Sequence, residues 1–154
     1  MIQRIQTVYL FLAAVIAAVC IALPVGMLVP EGMGVTSDIY SLFILTADTE
    51  HAYDFSVCGM FIALAAATVL SLVTIFMFKN RRLQARLCSL AVVLLLVWYV
   101  LYVLDVYTIG EEYNAVFVVK FPAALPAVAL ILILLARRAI LKDEALVRAA
   151  DRIR

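Results

Sequence analysis

The stretch Leu87–Tyr107, with the sequence LCSLAVVLLLVWYVLYVLDVY, decides the fold class of this chain. It has about the 20 residues that an α-helix needs to cross the hydrocarbon core of a bilayer, and it contains one charged residue, Asp105. Three further apolar runs flank it, at about 8–29, 57–78 and 117–136. The sequence therefore predicts an all-α membrane protein, a bundle of four transmembrane helices.

The composition of the chain agrees with this class. Hydrophobic residues make up 68% of the 154 residues, compared with about 45–50% in soluble domains. Because four crossings occupy more than half of so short a chain, we predict one membrane domain over 1–154 and a cytoplasmic tail at 137–154. The net charge of +1 indicates no role in binding nucleic acid.

The charged residues are segregated along the sequence. Eleven of the twelve lysines and arginines lie at Arg4, in the turn 79–86 and in the tail from Arg137. The two other connecting loops are acidic and carry Glu31, Asp38, Asp48, Glu50, Asp54, Glu111 and Glu112. Short loops rich in Lys and Arg remain in the cytoplasm. We therefore predict that both termini lie inside and both acidic loops outside.

The first run is too long for a signal peptide. Its apolar stretch exceeds the roughly 7–15 residues of a signal core, and no A-x-A-like cleavage site follows it. Pro24 and Gly26 interrupt its outer end, which membrane helices tolerate when neighbouring groups bond the freed backbone. We expect an uncleaved first span.

Small residues recur at every fourth position in the first two runs. In lipid, such rows mark places where helix backbones approach closely. The first row contains Ala14, Ala18, Ala22 and Gly26, and the second contains Gly59, Ala63, Ala67 and Ser71. We predict that the two rows face one another, although a general abundance of alanine would produce the same pattern.

A polar stripe marks the third run. Trp98, Tyr102 and Asp105 are spaced at i, i+4 and i+7, on one face of a helix. Lys120 enters the fourth run from the same outer side, so we predict a structural ion pair between Asp105 and Lys120. The alternatives are a functional charge on a transport pathway and a lysine that reaches to the membrane surface.

Two segments near the outer side are rich in β-forming residues. They are Asn114–Phe121, before Pro122, and the segment 38–46 in the first loop. Because proline suits a first helical position, the fourth helix can also begin at Pro122 and run to about Leu141. The sequence leaves open a small two- or three-stranded sheet on the outer face.

The residues that usually carry chemistry are too few to form a catalytic or cofactor site. His51 is the sole histidine, and the three cysteines form no C-x-x-C pair. Asp48, Glu50, His51 and Asp54 offer ligands for a divalent ion, but a mixed polar loop is more often a solvated turn. We predict no catalytic residue, no metal and no cofactor.

Three segments on the predicted inner side carry a resemblance to a known family. They are the start M-I-Q-R-I-Q, the turn K-N-R-R-L-Q-A-R-L from Lys79, and the end K-D-E-A-L-V-R-A-A-D-R-I-R from Lys142. Together they resemble a family of four-span bacterial membrane proteins classed as a domain of unknown function. The resemblance implies the fold and the bacterial inner membrane, and it supplies no activity.

The predicted inner segments have two interpretations. They anchor the chain to anionic lipid headgroups, or they form a docking surface for another membrane protein or a second copy. That surface would contain Lys79, Arg81, Arg82, Arg86, Lys142, Asp143, Glu144, Arg148, Asp151 and Arg152. We predict a non-enzymatic scaffold, assembly or regulatory protein. The alternative is a small transporter or channel subunit that uses the Trp98–Tyr102–Asp105 stripe.

Overall fold

A computed structural model describes residues 3–30, 35–45, 53–77, 80–112 and 115–151. Four long helices dominate it: α1 (Gln3–Ala22), α2 (Cys58–Phe76), α3 (Arg81–Glu112) and α4 (Leu125–Asp151). Each is long and apolar enough to cross a membrane, by length and composition. The prediction of four such helices is confirmed.

The helices pack in a ring, so that each one contacts two others. Helix α1 lies against α2 and α4, and α3 lies against the same two helices. Large side chains such as Leu64 and Ile133 fill the interior, while others such as Ile62 and Ile131 are more than half exposed on the outside. Helices that are apolar on both faces are typical of membrane segments.

A small antiparallel sheet joins the helices at one end. Its strands are β1 (Gly26–Pro30), β2 (Ser37–Ile39), β3 (Ile44–Leu45), β4 (Tyr53–Asp54) and β5 (Ala115–Val119), in the spatial order β4-β3-β2-β1-β5. Both β-prone segments of the sequence contribute strands. The sheet has five strands, which is more than the two or three that the sequence indicated.

The ends of the first and fourth runs that lie near the sheet differ from the predicted spans. Helix α1 ends at Ala22 because Pro24 lacks an amide hydrogen and restricts the residue before it. The residues beyond it form β1. In the fourth run the chain is a strand to Val119, a short 3-10 helix over Phe121–Ala124, and α4 only from Leu125.

The two ends of the helical assembly differ in charge. The sheet end is where α1 and α3 finish and α2 and α4 begin, and it carries Asp38, Asp54 and Lys120. The opposite end, here called the basic end, carries Arg81, Arg82, Arg86, Arg137, Arg138 and Lys142. The basic residues that cluster in the sequence therefore also lie together in the fold, at the end opposite the sheet.

The predicted row of small residues on α1 is displaced. Ala14 is buried, but Ala18 and Ala22 are exposed, and Gly26 lies in β1 outside the helix. The small residues that α1 buries are Ala13, Ala14, Ala17 and Cys20. Because α1 packs between α2 and α4, its buried face is wider than a single row at i+4 and follows the helical period.

The predicted row of small residues on α2 is buried only in part as the sequence indicated. Ala63, Ala67 and Ser71 are buried. Gly59 lies next to α3 instead, since a Cβ added there would be 3.6 Å from Leu101 Cδ1. The small residues of α2 therefore do not all face α1.

The burial pattern of α1 makes a testable prediction. Ala17→Leu should lower the free energy of unfolding by about 1–3 kcal/mol, because Ala17 is only 3% exposed and extra bulk must displace packed neighbours. Ala18→Leu is the matched control and should change stability little, since Ala18 is exposed. Unfolding measured by steric trapping in bicelles distinguishes the two variants. An equal loss for both would contradict this orientation of α1.

Candidate functional site

A buried polar contact ties α1 to α4 at the basic end. Gln6 Nε2 donates a 2.7 Å hydrogen bond to Asp143 Oδ2, and both residues are almost fully buried. Hydrogen bonds to an ionised group are stronger than neutral ones. Asp143 was predicted as part of the docking surface; its side chain is buried, and its carboxylate joins two helices.

A second contact ties α3 to α4. Arg82 Nε donates to Glu144 Oε1 at 2.9 Å, with side chains that are 69% and 17% exposed. Glu144 is thus also engaged inside the protein rather than being presented to a partner. Two of the three acidic residues of the predicted docking surface, Asp143 and Glu144, therefore make contacts between helices.

The turn between α2 and α3 is closed by side-chain amides. Asn80 precedes α3, and its Oδ1 accepts a 3.4 Å hydrogen bond from the Leu83 amide, as a residue at a helix N-cap does. Gln84 Nε2 donates at 3.1 Å to the carbonyl of the buried Thr74. The Thr74 carbonyl, in the last turn of α2, also accepts a 3.3 Å hydrogen bond from the Met77 amide, so both bonds close this helix end.

A cavity of about 240 Å³ lies between α3 and α4 at the basic end, and we call it the arginine cleft. Its lining residues are Arg82, Ala85, Arg86, Ser89, Arg137, Leu141 and Glu144. Arg137 is one of these lining residues, and its Nε is buried and has no hydrogen-bond partner among the described residues. A neighbouring groove of about 290 Å³ shares Arg137 and continues along α4 past Arg138, Leu135, Leu134 and Ile131.

The other residues of the predicted docking surface have mixed positions. Arg86 and Lys142 are exposed, and Arg81 is partly exposed. Lys79 and Arg152 lie outside the described residues. Arg148 and Asp151 belong to α4, but their side chains are outside the described part of the structure.

An aromatic cluster fills the interior near the sheet end. The Trp98 and Tyr102 rings are stacked with centroids 5.2 Å apart, and Tyr102 meets Phe117 edge-on at 5.8 Å. Trp98 is fully buried, and Phe117 lies directly over Gly26 of β1. Two members of the predicted polar stripe are therefore core residues.

Tyrosine hydroxyls bond the backbone where the helices are interrupted. Tyr102 donates to the Val25 carbonyl at 3.2 Å, and Tyr99 donates to the Ala123 carbonyl at 3.0 Å. These carbonyls follow Pro24 and Pro122 directly in the sequence. Backbone that leaves the helical geometry away from water needs such internal partners, and the sequence analysis missed this role for both tyrosines.

The predicted partner of Lys120 is wrong. Lys120 Nζ lies 2.6 Å from Asp38 Oδ1, whereas Asp105 is partly exposed and forms no ion pair within the described residues. The reason is the sheet: Met27 of β1 is opposite Asp38 on one side and opposite Val118 on the other. Lys120 follows Val118 by two residues and reaches the same side of the sheet.

A double-mutant cycle tests this ion pair. Lys120→Met and Asp38→Asn should show a coupling of up to about 1 kcal/mol in the free energy of unfolding, because both side chains are partly exposed and solvent screens them. Lys120→Met and Asp105→Asn should be additive. Coupling of Lys120 to Asp105, and none to Asp38, would contradict the observed pairing.

The candidate metal ligands in the loop between the first two apolar runs are described only in part. Asp54 Oδ1 accepts a 2.9 Å hydrogen bond from the Ser56 amide, while Asp48, Glu50 and His51 lie outside the described residues. Among the residues that the structure describes, no three His, Cys, Asp or Glu side chains are grouped for a metal ion. The cysteines are free, with Cys20 and Cys88 buried and Cys58 exposed.

Four helices of membrane-spanning length and composition, joined at one end by a small antiparallel sheet, are the features of a multi-pass membrane protein. A family model agrees with this class. The chain belongs to the family described as Domain of unknown function (DUF4293), whose model matches residues 2–153. The resemblance to a family of unknown function is confirmed at that level. Comparison with the curated proteins finds no match.

Proposed function

We propose that the chain spans the bacterial inner membrane with its basic end in the cytoplasm and its sheet outside. There it acts as a non-enzymatic assembly or regulatory partner of another membrane protein. The segregation of basic residues at one end supports this orientation. The packing of the interior supports a structural role.

The observation that carries the structural role is the apolar filling between the helices. Leu64, Leu95, Trp98 and Ile133 are fully buried or nearly so. Charged side chains of the described helices lie toward the two ends, as Asp105 does near the sheet. A transporter needs polar or ionisable groups along a path through the membrane, and this interior favours a packed module over a carrier.

The orientation is tested with topology reporters. Fusions after Arg82 and Arg154 should report the cytoplasm, and a fusion near Glu111 should report the outer side, because the positive-inside rule places the basic turn and tail inside. A fusion near Asp48 adds an independent point in the first loop. A cytoplasmic signal at Asp48 would overturn the orientation.

The role is tested by photo-crosslinking in native membranes. A photoreactive amino acid at Lys142, exposed at the basic end, should join the chain to one partner in stoichiometric amount. The matched control is Val93, which is 52% exposed in the middle of α3 and should contact lipid. Ion or solute flux in liposomes, without a crosslinked partner, would contradict the proposal and favour the transporter.

A further inference from the structure

We propose that the arginine cleft holds the phosphate of an anionic phospholipid, and that one acyl chain of this lipid lies in the adjoining groove on α4. The inference rests on the membrane insertion proposed above and not on the scaffold role. The proposed site lies between α3 and α4 and binds one lipid molecule. It differs in this from the general attraction of basic residues to an anionic membrane surface.

The charge of the arginine cleft suits a phosphate. Three arginines and one glutamate among its lining residues give a formal charge of +2. Glu144 engages Arg82 through Nε, and it thereby fixes the guanidinium of Arg82 at the rim of the cleft. Arginine is suited to phosphate because its planar fork can donate two parallel hydrogen bonds.

Among the residues that line the cleft, Arg137 carries a buried donor without a partner among the described residues. Its Nε is that donor, and a buried unbonded donor destabilises the folded state. It lies on α4 across the cleft from Arg86 and Ser89 of α3. A phosphate in the cleft would accept hydrogen bonds from the guanidinium of Arg137, because Arg137 lines the cleft.

The adjoining groove distinguishes a lipid from a soluble anion. Ile131, Leu134, Leu135 and Arg138 are spaced at i, i+3, i+4 and i+7 along one face of α4, and Arg137 lines both cavities. Ile131 is 56% exposed and lies about 9 Å from Arg137 along the helix axis, toward the sheet end. An acyl chain can follow this apolar face while its phosphate occupies the cleft.

Native mass spectrometry of the full chain tests the site. The protein in detergent is titrated with phosphatidylglycerol, with phosphatidylcholine and with inorganic phosphate. We expect one phosphatidylglycerol to be retained in preference to phosphatidylcholine. Arg137→Gln and Arg86→Gln should each weaken its binding about tenfold, which is the effect of losing one charge-assisted hydrogen bond.

Three variants act as controls. Arg81→Gln removes the same charge from the same end of α3, but Arg81 does not line the cleft, so binding should be unchanged. Arg137→Lys keeps the positive charge but removes the planar guanidinium. It should therefore weaken phosphatidylglycerol binding less than Arg137→Gln does. Leu134→Trp fills the groove and should weaken lipid binding without changing the response to inorganic phosphate.

Several outcomes would overturn the proposal. They are equal retention of the two lipids, equal losses for Arg81→Gln and Arg86→Gln, and phosphate binding as tight as that of the lipid and insensitive to Leu134→Trp. The last result would indicate a small-anion site. If Arg137→Gln fails to fold, the exposed Arg86 decides the test. Crosslinking at Lys142 reports on the scaffold role separately, so the two failures can be told apart.

Discussion

Replacing Gly26 by alanine is expected to lower the free energy of unfolding by about 2–3 kcal/mol. A Cβ added at Gly26 would overlap Phe117 Cζ and lie 2.8 Å from Cε1, well inside the contact distance of two carbons. The Phe117 ring cannot swing away freely, because it packs edge-on against Tyr102 in the aromatic cluster. The alanine must therefore separate β1 from β5 or disturb the packing around Tyr102.

Two further variants make the Gly26 prediction specific. Gly59→Ala is the matched control and should be neutral or stabilising, because the nearest atom is 3.6 Å from the added Cβ and alanine favours the helix. Phe117→Leu shortens the obstructing side chain, so adding it to Gly26→Ala should cost less than the sum of the single changes. Steric trapping in bicelles gives the values. Additive losses would mean that the ring is not the obstacle.

The second large effect is expected at the contact between Gln6 and Asp143. Gln6→Leu should lower the free energy of unfolding by about 2–3 kcal/mol, because it leaves a buried carboxylate without its 2.7 Å hydrogen bond. The double variant Gln6→Leu with Asp143→Leu should be more stable than Gln6→Leu alone. Removing both members of a buried polar pair leaves no group to desolvate without a partner.

The neighbouring residue provides the control for this contact. Glu144→Ala removes an ion pair whose arginine is 69% exposed, so solvent screening should limit its cost to less than about 1 kcal/mol. Thermal unfolding of the Gln6, Asp143 and Glu144 variants, all measured in one detergent, gives the comparison. A loss at Glu144 equal to that at Gln6 would show that burial does not determine the strength of these contacts.

The number of helices and the charge of their ends could be predicted from the sequence. Both depend on local quantities: about 20 apolar residues make a spanning helix, as in Leu87–Tyr107, and basic residues cluster between particular runs. The β-prone segments were also recognisable, because valine and phenylalanine before Pro122 favour a strand. The number of strands and the strand formed by Gly26–Pro30 were not, because a hydropathy pattern reads that stretch as the end of a span.

The arginine cleft and the polar contacts beside it were predicted only as a list of charged residues. The sequence predicts that Arg82, Arg86 and Arg137 lie on the same side of the membrane. It does not indicate which basic and acidic side chains contact one another. Gln6 gave a weak signal, as an amide at the start of an apolar helix. Its partner is 137 positions away, so no local pattern could have identified it.

The sequence by itself determined the class of this protein, because hydrophobic length and the distribution of charge are properties of each segment alone. The tertiary structure decided the partners. It paired Lys120 with Asp38 rather than with Asp105, since β1 lies between β2 and β5 and brings them together. It also exposed Ala18 and buried Ala17, since α1 must pack against two helices at once. Pairing depends on how elements distant in the sequence are arranged, and only the packed fold sets that arrangement.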